Sequence, residues 1–368
     1  MLIDAVELVR FQLPLVTPFR TSFGVQTGRD VVLVHVVTDA AEGWGESVAG
    51  VEPLYSSEFT ETSVLALRQH LVPRVLAGKD VTAADVGDLL APVKGWPMAK
   101  CAIEAAVLDA ELRAAGLPLR TYLGGTRARV AAGVSVGLFD TLAETLAAVD
   151  GYLASGYGRV KLKIEPGHDL DLVAAVRRHV GPDVVLQVDA NAAYTLGDAR
   201  HLARLDHFDL LLIEQPLADD DLRQHAELAR HLRTPICLDE SITSARAAAD
   251  AIALGACRIV NIKPGRVGGF LEARRIHDVC AANGIPVWCG GMLETGVGRA
   301  ANLALASLSG FTLPADLSAS DRYFRHDVTT PFVLVDGHLP VPDGPGIGVT
   351  PDPAALASLG ATTERVTS

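Results

Sequence analysis

The sequence has 368 residues, of which 49% are hydrophobic, and it carries a formal net charge of -12 at neutral pH. This size predicts one large domain with a smaller one, and the charge argues against nucleic acid or an anionic membrane as the main partner. The five cysteines form no C-x-x-C pair, the N-terminus lacks signal-peptide features, and no apolar run approaches the ~20 residues of a membrane span. We therefore expect a reduced, cytoplasmic protein without disulfides or a zinc site.

Residues 1–125 combine strand and helix patterns. Two runs rich in β-branched residues, A-V-E-L-V-R-F-Q-L and D-V-V-L-V-H-V-V-T, predict strands. Helical periodicity follows near residues 58–77 and 98–116. This part of the chain is predicted to be an α+β domain.

Residues 126–325 repeat a short apolar strand and a helix-patterned stretch eight times. The strand starts are almost evenly spaced along the chain. Such a repeat indicates parallel strands with crossover helices, and eight units fit a closed barrel better than an open sheet. The sequence therefore predicts an α/β fold of the (β/α)8 TIM-barrel type, with an irregular last unit. The predicted strands begin near Val134, Val160, Val184, Leu210, Thr234, Arg258, Ile285 and Phe311.

Residues 326–368 contain the segment T-P-F-V-L-V-D-G-H-L-P-V-P. Asp336 and Gly337 between two apolar runs are a strong signal for a hairpin turn. Because an isolated hairpin is only marginally stable, we expect this C-terminal segment to pack back on the N-terminal domain.

Charged residues follow the barrel strands at equal offsets. Asp189, Glu214 and Asp239 are equally spaced, each one strand–helix unit from the next, and Lys263 follows after almost the same interval. Chemistry in such barrels lies at the carboxyl ends of the strands, so these side chains are expected to converge on one mouth. Three carboxylates repel one another unless a cation neutralises them, and oxygen ligands suit Mg²⁺ or Mn²⁺. We predict that the three acids bind a metal; the alternative is that each caps a helix or pairs with a lysine.

The segment V-K-L-K-I-E places Lys161 and Lys163 on one face of a strand. Two such lysines more commonly lie at a solvated strand edge. The carboxylates at equal offsets on the following strands favour a functional role for this pair. We expect Lys163 to be a base, its pKa lowered by the metal and by the ammonium group of Lys161. Lys161 would bind developing negative charge, and Lys263 would face the substrate from the opposite side.

This arrangement suits removal of the α-proton of a carboxylate. An amine removes that proton only if the resulting enediolate is stabilised, which a divalent ion on the carboxylate oxygens provides. Two lysines on opposite faces then allow removal on one side and return on the other.

These residues resemble those of the enolase superfamily, in particular its muconate-lactonizing-type subgroup. Within it, the chain is most similar to the o-succinylbenzoate synthase and N-succinylamino acid (N-acylamino acid) racemase family. The resemblance covers the whole chain and includes V-T-P-F-R-T-S-F-G at 16–24, G-W-G-E at 43–46, N-I-K-P-G-R-V-G-G at 261–269 and W-C-G-G-M at 288–292. It implies an α+β capping domain, built from the N-terminal segment and the C-terminal tail, over a barrel with a modified last unit.

The resemblance also implies the residues of a substrate pocket. Those expected to close it from the capping domain are Phe19, Phe23 and Tyr55. Those expected to line it from the barrel are Ser135, Gly291 and Met292. Further candidates for substrate binding, or for support of the ligands and lysines, are Asn191, Glu240 and Arg266. Gly50 departs from the bulkier apolar residue that close members often have there.

Two activities share this set of residues, and family members can have both. The first is metal-dependent racemisation of N-succinyl or N-acetyl amino acids, with Lys163 and Lys263 exchanging the α-proton. The second is o-succinylbenzoate synthase, a syn-dehydration of menaquinone biosynthesis, in which Lys163 removes the proton and protonates the departing hydroxyl while Lys263 is only a nearby cation. Arg266, directly after K-P-G, resembles the racemase-capable branch and favours the first. We expect a small-molecule carboxylate substrate and a homo-oligomer.

Two other readings are less favoured. A barrel kept as a binding or structural protein would be expected to have lost a catalytic position, and all are filled. The segment G-V-S-V-G at 133–137 matches the nucleophile elbow of hydrolases, which needs its serine on a sharp turn. The strand pattern continues through Ser135, so a hydrolase is not expected.

Overall fold

A computed structural model describes residues 1–22 and 24–366. Phe23, predicted to close the pocket, lies outside the described residues. Within the described part of the chain, no helix is both long and apolar enough to cross a membrane.

The elements follow one another in the order expected for an α+β domain and a barrel. The strands are β1 (Ile3–Thr21), β2 (Gly24–Thr38), β3 (Glu42–Ser47), β4 (Arg129–Ala131), β5 (Gly133–Val136), β6 (Arg159–Lys163), β7 (Val185–Asp189), β8 (Ile213–Glu214), β9 (Ile236–Leu238), β10 (Ile259–Ile262), β11 (Val287–Cys289), β12 (His338–Pro340) and β13 (Thr362–Val366). The α-helices are α1 (Thr60–Ala66), α2 (Val72–Leu76), α3 (Ala83–Leu90), α4 (Pro97–Ala114), α5 (Leu119–Leu123), α6 (Leu142–Ala154), α7 (Leu170–Val180), α8 (Ala199–Leu202), α9 (Leu222–Leu228), α10 (Ala245–Leu254), α11 (Pro264–Val267), α12 (Phe270–Ala282), α13 (Gly296–Ala306) and α14 (Pro353–Ser358).

The capping domain contains an antiparallel sheet in the order β13-β1-β2-β3. The apolar run of β2 is buried, as expected for β-branched residues on a covered sheet. Helix α4 lies directly on β3. The approach is so close that a Cβ atom at Gly43 or Gly45 would collide with the α4 backbone. The glycines of G-W-G-E therefore permit this close approach, and they bring the next residue, Glu46, to the border with the barrel.

The barrel sheet contains β5 to β11, all parallel and in sequential order. Residues 311–316 take the eighth position through bridges from Phe311 to Val287 and from Ala315 to Ala132. Pro314 has no N–H group and so prevents a regular ladder here. The predicted (β/α)8-type barrel with a modified last unit and an α+β capping domain is confirmed.

The C-terminal segment divides between the two domains. Asp336 and Gly337 have φ values of 49° and 72°, as a two-residue hairpin turn requires, so the predicted turn is confirmed. The hairpin strand β12 pairs with β4 at the start of the barrel and buries Leu339. Residues 347–350 contact α4 of the capping domain through Asp109 and Arg113, and the terminal strand β13 joins the capping sheet by pairing with β1.

Candidate active site

The paired lysines emerge in the barrel mouth from β6, which lies between β5 and β7 and is not an edge strand. Lys161 and Lys163 are only 3% and 7% exposed, which excludes a solvated strand edge. Both ammonium groups approach the same oxygen of Asp189, at 3.1 Å from Lys161 and 2.7 Å from Lys163. The two like charges are therefore balanced by a buried carboxylate.

Asp189 and Glu214 stand side by side, because they are register partners at the ends of β7 and β8. Burial alone would raise the pKa of Asp189, but the ammonium groups of Lys163 and Lys161 outweigh it and hold that pKa below its usual range. The pKa of Glu214 is raised by burial and by the charge of Asp189. Glu214 accepts hydrogen bonds from Lys161, at 3.0 Å, and from Asn261, at 2.8 Å.

Asp239 and Lys263 lie across the mouth, after β9 and β10. The Nζ atom of Lys263 is 2.7 Å from Oδ2 of Asp239 and donates to the hydroxyl of Tyr55 at 3.0 Å. Burial would lower the pKa of Lys263, but Tyr55 and the carboxylates of Glu240 and Glu214 outweigh it and raise that pKa. The mouth thus has one lysine pair on β6 and a third lysine four strands away.

Arg266 supports the Asp239 side of the mouth. Its guanidinium contacts Oδ1 of Asp239 and donates to the backbone oxygens of Asn261, at 2.6 Å, and Ile242, at 2.9 Å. Burial lowers the pKa of Arg266. Arg266 therefore contacts a predicted metal ligand and does not line the cavity described below.

Asn191 and Glu240 contact each other between Lys163 and the Asp239 side of the mouth. The side-chain oxygen of Asn191 accepts from Lys163 at 2.5 Å, and its amide donates to Glu240 at 2.9 Å. Burial raises the pKa of Glu240 to about 7. The sequence prediction named both residues, and the structure places them in one chain of contacts that ends on Lys163.

Sequence reasoning missed Asp316, which lies in the eighth barrel position. Its Oδ2 atom accepts from Ser135 at 2.7 Å and lies 2.8 Å from Nζ of Lys161, and its Oδ1 atom is 3.0 Å from Arg159. Burial would raise its pKa, but Lys161 and Arg159 outweigh it and hold the pKa well below its usual range. The available signal was an acid at the end of the predicted eighth strand, because the predicted metal ligands lie at the ends of their own strands.

Sequence reasoning also missed Gln215, which follows Glu214 and has a positive φ of 35°. Its side-chain oxygen accepts from the N–H groups of Asp239, at 3.1 Å, and Ser241, at 3.2 Å. Its amide donates to the hydroxyl of Ser241, at 2.8 Å, and to the backbone oxygen of Leu217, at 3.1 Å. Gln215 therefore joins the ends of two strands that carry predicted metal ligands, and no local pattern marks it.

A cavity of about 280 Å³ lies between the barrel mouth and the capping domain. The predicted pocket residues that line it are Phe19, Tyr55, Ser135, Asn191, Gly291 and Met292. All three lysines also face it, together with Asp316. This volume lies close to the lower end of the range for small-molecule sites.

The donor set fits a hard divalent cation, because three buried carboxylates end adjacent strands and carboxylate oxygens are the ligands that such a cation prefers. Among the described residues, no three His, Cys, Asp or Glu side chains are gathered closely enough to hold an ion. The carboxylates instead pair with Lys161, Lys163, Lys263 and Arg266. Any cation bound here must therefore displace ammonium groups from these oxygens.

Comparison with known proteins gives two family matches. Residues 144–355 match the enolase C-terminal domain-like family, and residues 5–124 match the N-terminal domain of mandelate racemase and muconate lactonizing enzyme. The chain is 63% identical to an N-succinylamino acid racemase of Amycolatopsis over 100% of this chain and 99% of that protein. It is 49% identical to an o-succinylbenzoate synthase of Geobacillus kaustophilus, over 95% and 94%.

Solved structures agree with these matches. An enolase-superfamily protein of Listeria innocua superposes with a TM-score of 0.95 at 39% identity, over 100% of this chain and 99% of that one. An N-succinyl Arg/Lys racemase of Bacillus cereus superposes with a TM-score of 0.92 at 25% identity, over 100% of both chains. Members of this superfamily bind a divalent metal ion. The chain belongs to the enolase superfamily.

Proposed function

We propose that this protein is a divalent-metal-dependent N-succinylamino acid (N-acylamino acid) racemase. One observation supports the proposal most strongly: Lys163 on β6 and Lys263 after β10 face one cavity from positions four strands apart. A bound α-carbon between them presents one face to each lysine. One lysine then removes the α-proton and the other returns a proton to the opposite face.

Asp189, Glu214 and Asp239 would hold the cation, and we propose Mg²⁺ because their donors are hard oxygens. When bound, the ion supplies positive charge to the substrate carboxylate, which makes the α-proton acidic enough for an amine to remove. The cation would also draw Glu214 and Asp239 away from Lys263, and loss of these counter-charges would lower the pKa of Lys263 toward that of a working base.

Lys161 has a different part in this proposal. Burial would lower its pKa, but Asp316, Glu214 and Asp189 outweigh it and raise that pKa. Asp316 is not one of the proposed metal ligands, so Lys161 keeps this counter-charge and stays protonated when the other two carboxylates hold the cation. A protonated lysine beside the reacting carbon stabilises negative charge that develops on the substrate carboxylate. Lys161 therefore binds charge, while Lys163 moves the proton.

The second candidate is o-succinylbenzoate synthase, a dehydration in menaquinone biosynthesis. Relatives with that name are 49% and 50% identical to this chain over 95% of it. The reaction needs one proton-transferring lysine, and the contacts of Lys263 with Tyr55 and Asp239 suit a fixed cation. The same residues support either activity, and one enzyme can have both.

The test is incubation with Mg²⁺ and N-succinyl-L-phenylalanine in D₂O, with α-proton loss followed by NMR and configuration by optical rotation. Exchange with falling rotation is expected. Exchange without loss of rotation would mean that a base works on one face only. An absence of exchange, together with turnover of the dehydration substrate, would favour the synthase.

A further inference from the structure

One cavity wall is the loop 290–294 that joins β11 to α13. Gly291, Met292 and Leu293 of this loop line the cavity. Leu293 has a φ of 59°, a left-handed conformation that a leucine rarely adopts. Contacts outside the loop must therefore hold it in place.

The first such contact comes from the capping domain. Both carboxylate oxygens of Glu46, at the end of β3, accept from the N–H of Thr295 at 3.1 Å. One of them also accepts from the Thr295 hydroxyl at 2.6 Å and from the N–H of Gly298 at 3.0 Å. Helix N-terminal N–H groups lack partners within the helix and favour negative charge, so Glu46 binds the first turn of α13 across the domain border.

The second contact joins α13 to the loop. The side chain of Glu294 accepts from the N–H of Met292 at 2.8 Å and from Asn302, in α13, at 2.9 Å. Arg299, also in α13, donates to the backbone oxygen of Glu294 at 2.9 Å. A Cβ atom at Gly298 would crowd the side chains of both Glu294 and Glu46, so the two carboxylates meet α13 where it has no side chain.

Charge balance supports this arrangement. Glu46 is buried, and burial raises its pKa to about 7 although the positive charge of Arg29 and the Thr295 hydrogen bonds lower it. Arg29 is itself buried on β2, where it donates to the backbone oxygen of Val48. Glu46 does not line the substrate cavity, but it borders a small cavity of about 20 Å³ that Met292 and Glu294 also line. Met292 has space to move there if the hydrogen bonds of Glu46 are lost.

We infer that Glu46 is a positioning residue for side-chain specificity: through α13 it sets the loop 290–294 against the side chain of the substrate. Glu46, a residue of the capping domain that does not line the substrate cavity, thereby influences which amino-acid side chain is accepted. The expected change in substrate preference rests on the proposed function, whereas the expected placement of the loop 290–294 by Glu46 does not.

The test compares Glu46→Ala and Glu46→Gln with Asp109→Asn. Asp109 is a matched control, because it is a buried carboxylate that accepts from Trp44 on the same strand and from Ile347, and its contacts avoid the loop 290–294. The first readout is hydrogen–deuterium exchange of peptides from residues 288–298, with Mg²⁺ present. We expect faster exchange there in Glu46→Ala, a smaller increase in Glu46→Gln, which keeps one acceptor oxygen, and wild-type exchange in Asp109→Asn.

The second readout is the ratio of kcat/KM for N-succinyl-L-phenylalanine to that for N-succinyl-L-alanine. We expect Glu46→Ala to change this ratio by about tenfold, since the change alters the wall that meets the side chain. Unchanged exchange and an unchanged ratio would overturn the inference, and so would an equal change of the ratio in Asp109→Asn. If the wild type racemises neither compound, the proposed function fails. The hydrogen–deuterium exchange of residues 288–298 would still test whether Glu46 holds the loop in place. If Glu46→Ala does not fold, Glu46→Gln gives the same comparison against Asp109→Asn, with a smaller expected change.

Discussion

The ammonium nitrogen of Lys161 lies 2.8 Å from a carboxylate oxygen of Asp316, across the closure of the barrel. Lys161 belongs to β6, the second barrel strand, and Asp316 to the irregular eighth position. Arg159 reaches the other oxygen of Asp316 at 3.0 Å. The carboxylate therefore balances two buried cations from the same strand, and it fixes Lys161 at the cavity wall.

Replacement of Asp316 should lower stability more than loss of an exposed ion pair. We expect Asp316→Ala to reduce the free energy of unfolding by about 3–5 kcal/mol, because it leaves Arg159 and Lys161 buried with less counter-charge. The matched control is Asp140→Ala, which removes the exposed pair with Arg20 and should cost less than about 1 kcal/mol. Urea unfolding of both variants checks this, and equal losses would contradict it.

The two lysines should serve opposite faces of the α-carbon. We expect Lys263→Ala to abolish racemisation yet retain α-proton exchange for one enantiomer of the substrate, since Lys163 still reaches its own face. Lys163→Ala should retain exchange of the other enantiomer only, since Lys263 still reaches the opposite face. NMR in D₂O with each pure enantiomer measures this. Undiminished racemisation by Lys263→Ala would reject the assignment of two bases.

Removal of the divalent metal ion should abolish the activity of the enzyme. Treatment with a chelator is expected to abolish α-proton exchange, and added Mg²⁺ or Mn²⁺ should restore it, because the α-proton is too weakly acidic without the cation. Asp189→Asn should weaken Mn²⁺ binding in calorimetry, whereas Asp140→Asn, at the surface, should not. Full activity in metal-free protein would refute the ligand assignment.

Gln215 should affect metal affinity without being a ligand. Gln215→Ala removes the three hydrogen bonds through which its side chain joins the ends of β8 and β9, so Glu214 and Asp239 lose their fixed separation. We expect about tenfold weaker Mn²⁺ binding, as for other residues that orient metal ligands. Ser241→Ala removes only the bond from the Gln215 amide to the Ser241 hydroxyl and should have a smaller effect. Wild-type affinity in Gln215→Ala would show that the backbone alone fixes the separation.

Glu104 should make stability depend on pH. This buried residue of α4 accepts from the N–H of Leu271 in α12, and burial raises its pKa from 4.5 to about 7. A carboxyl with a raised folded pKa ionises first in the unfolded state, so stability falls as the pH rises from about 4.5 to 7. Relative to Glu104→Gln, the wild type should lose about 3 kcal/mol over this window. Urea unfolding at several pH values measures it, and parallel pH profiles would contradict it.

The repeat of strand and helix could be predicted from the sequence, because each barrel unit consists of consecutive residues. Its apolar run and its helical periodicity recur at a nearly constant spacing. Equal offsets within equal units also predicted that Lys163, Asp189 and Glu214 would meet, since parallel strands in register bring equal positions to equal heights. The predicted lysines and carboxylates followed from this regularity, whereas the family resemblance also depended on motifs such as G-W-G-E at 43–46 and W-C-G-G-M at 288–292.

The tertiary structure decided the contacts that cross the regular repeat. Asp316 reaches Lys161 because an irregular eighth segment closes the barrel, and Glu46 meets α13 at Gly298, where the helix has no side chain. Gln215 joins two strands through its side chain, and β12 pairs with β4, at residues 129–131. Such partners lie far apart in the sequence and are chosen by packing geometry, which no local periodicity records.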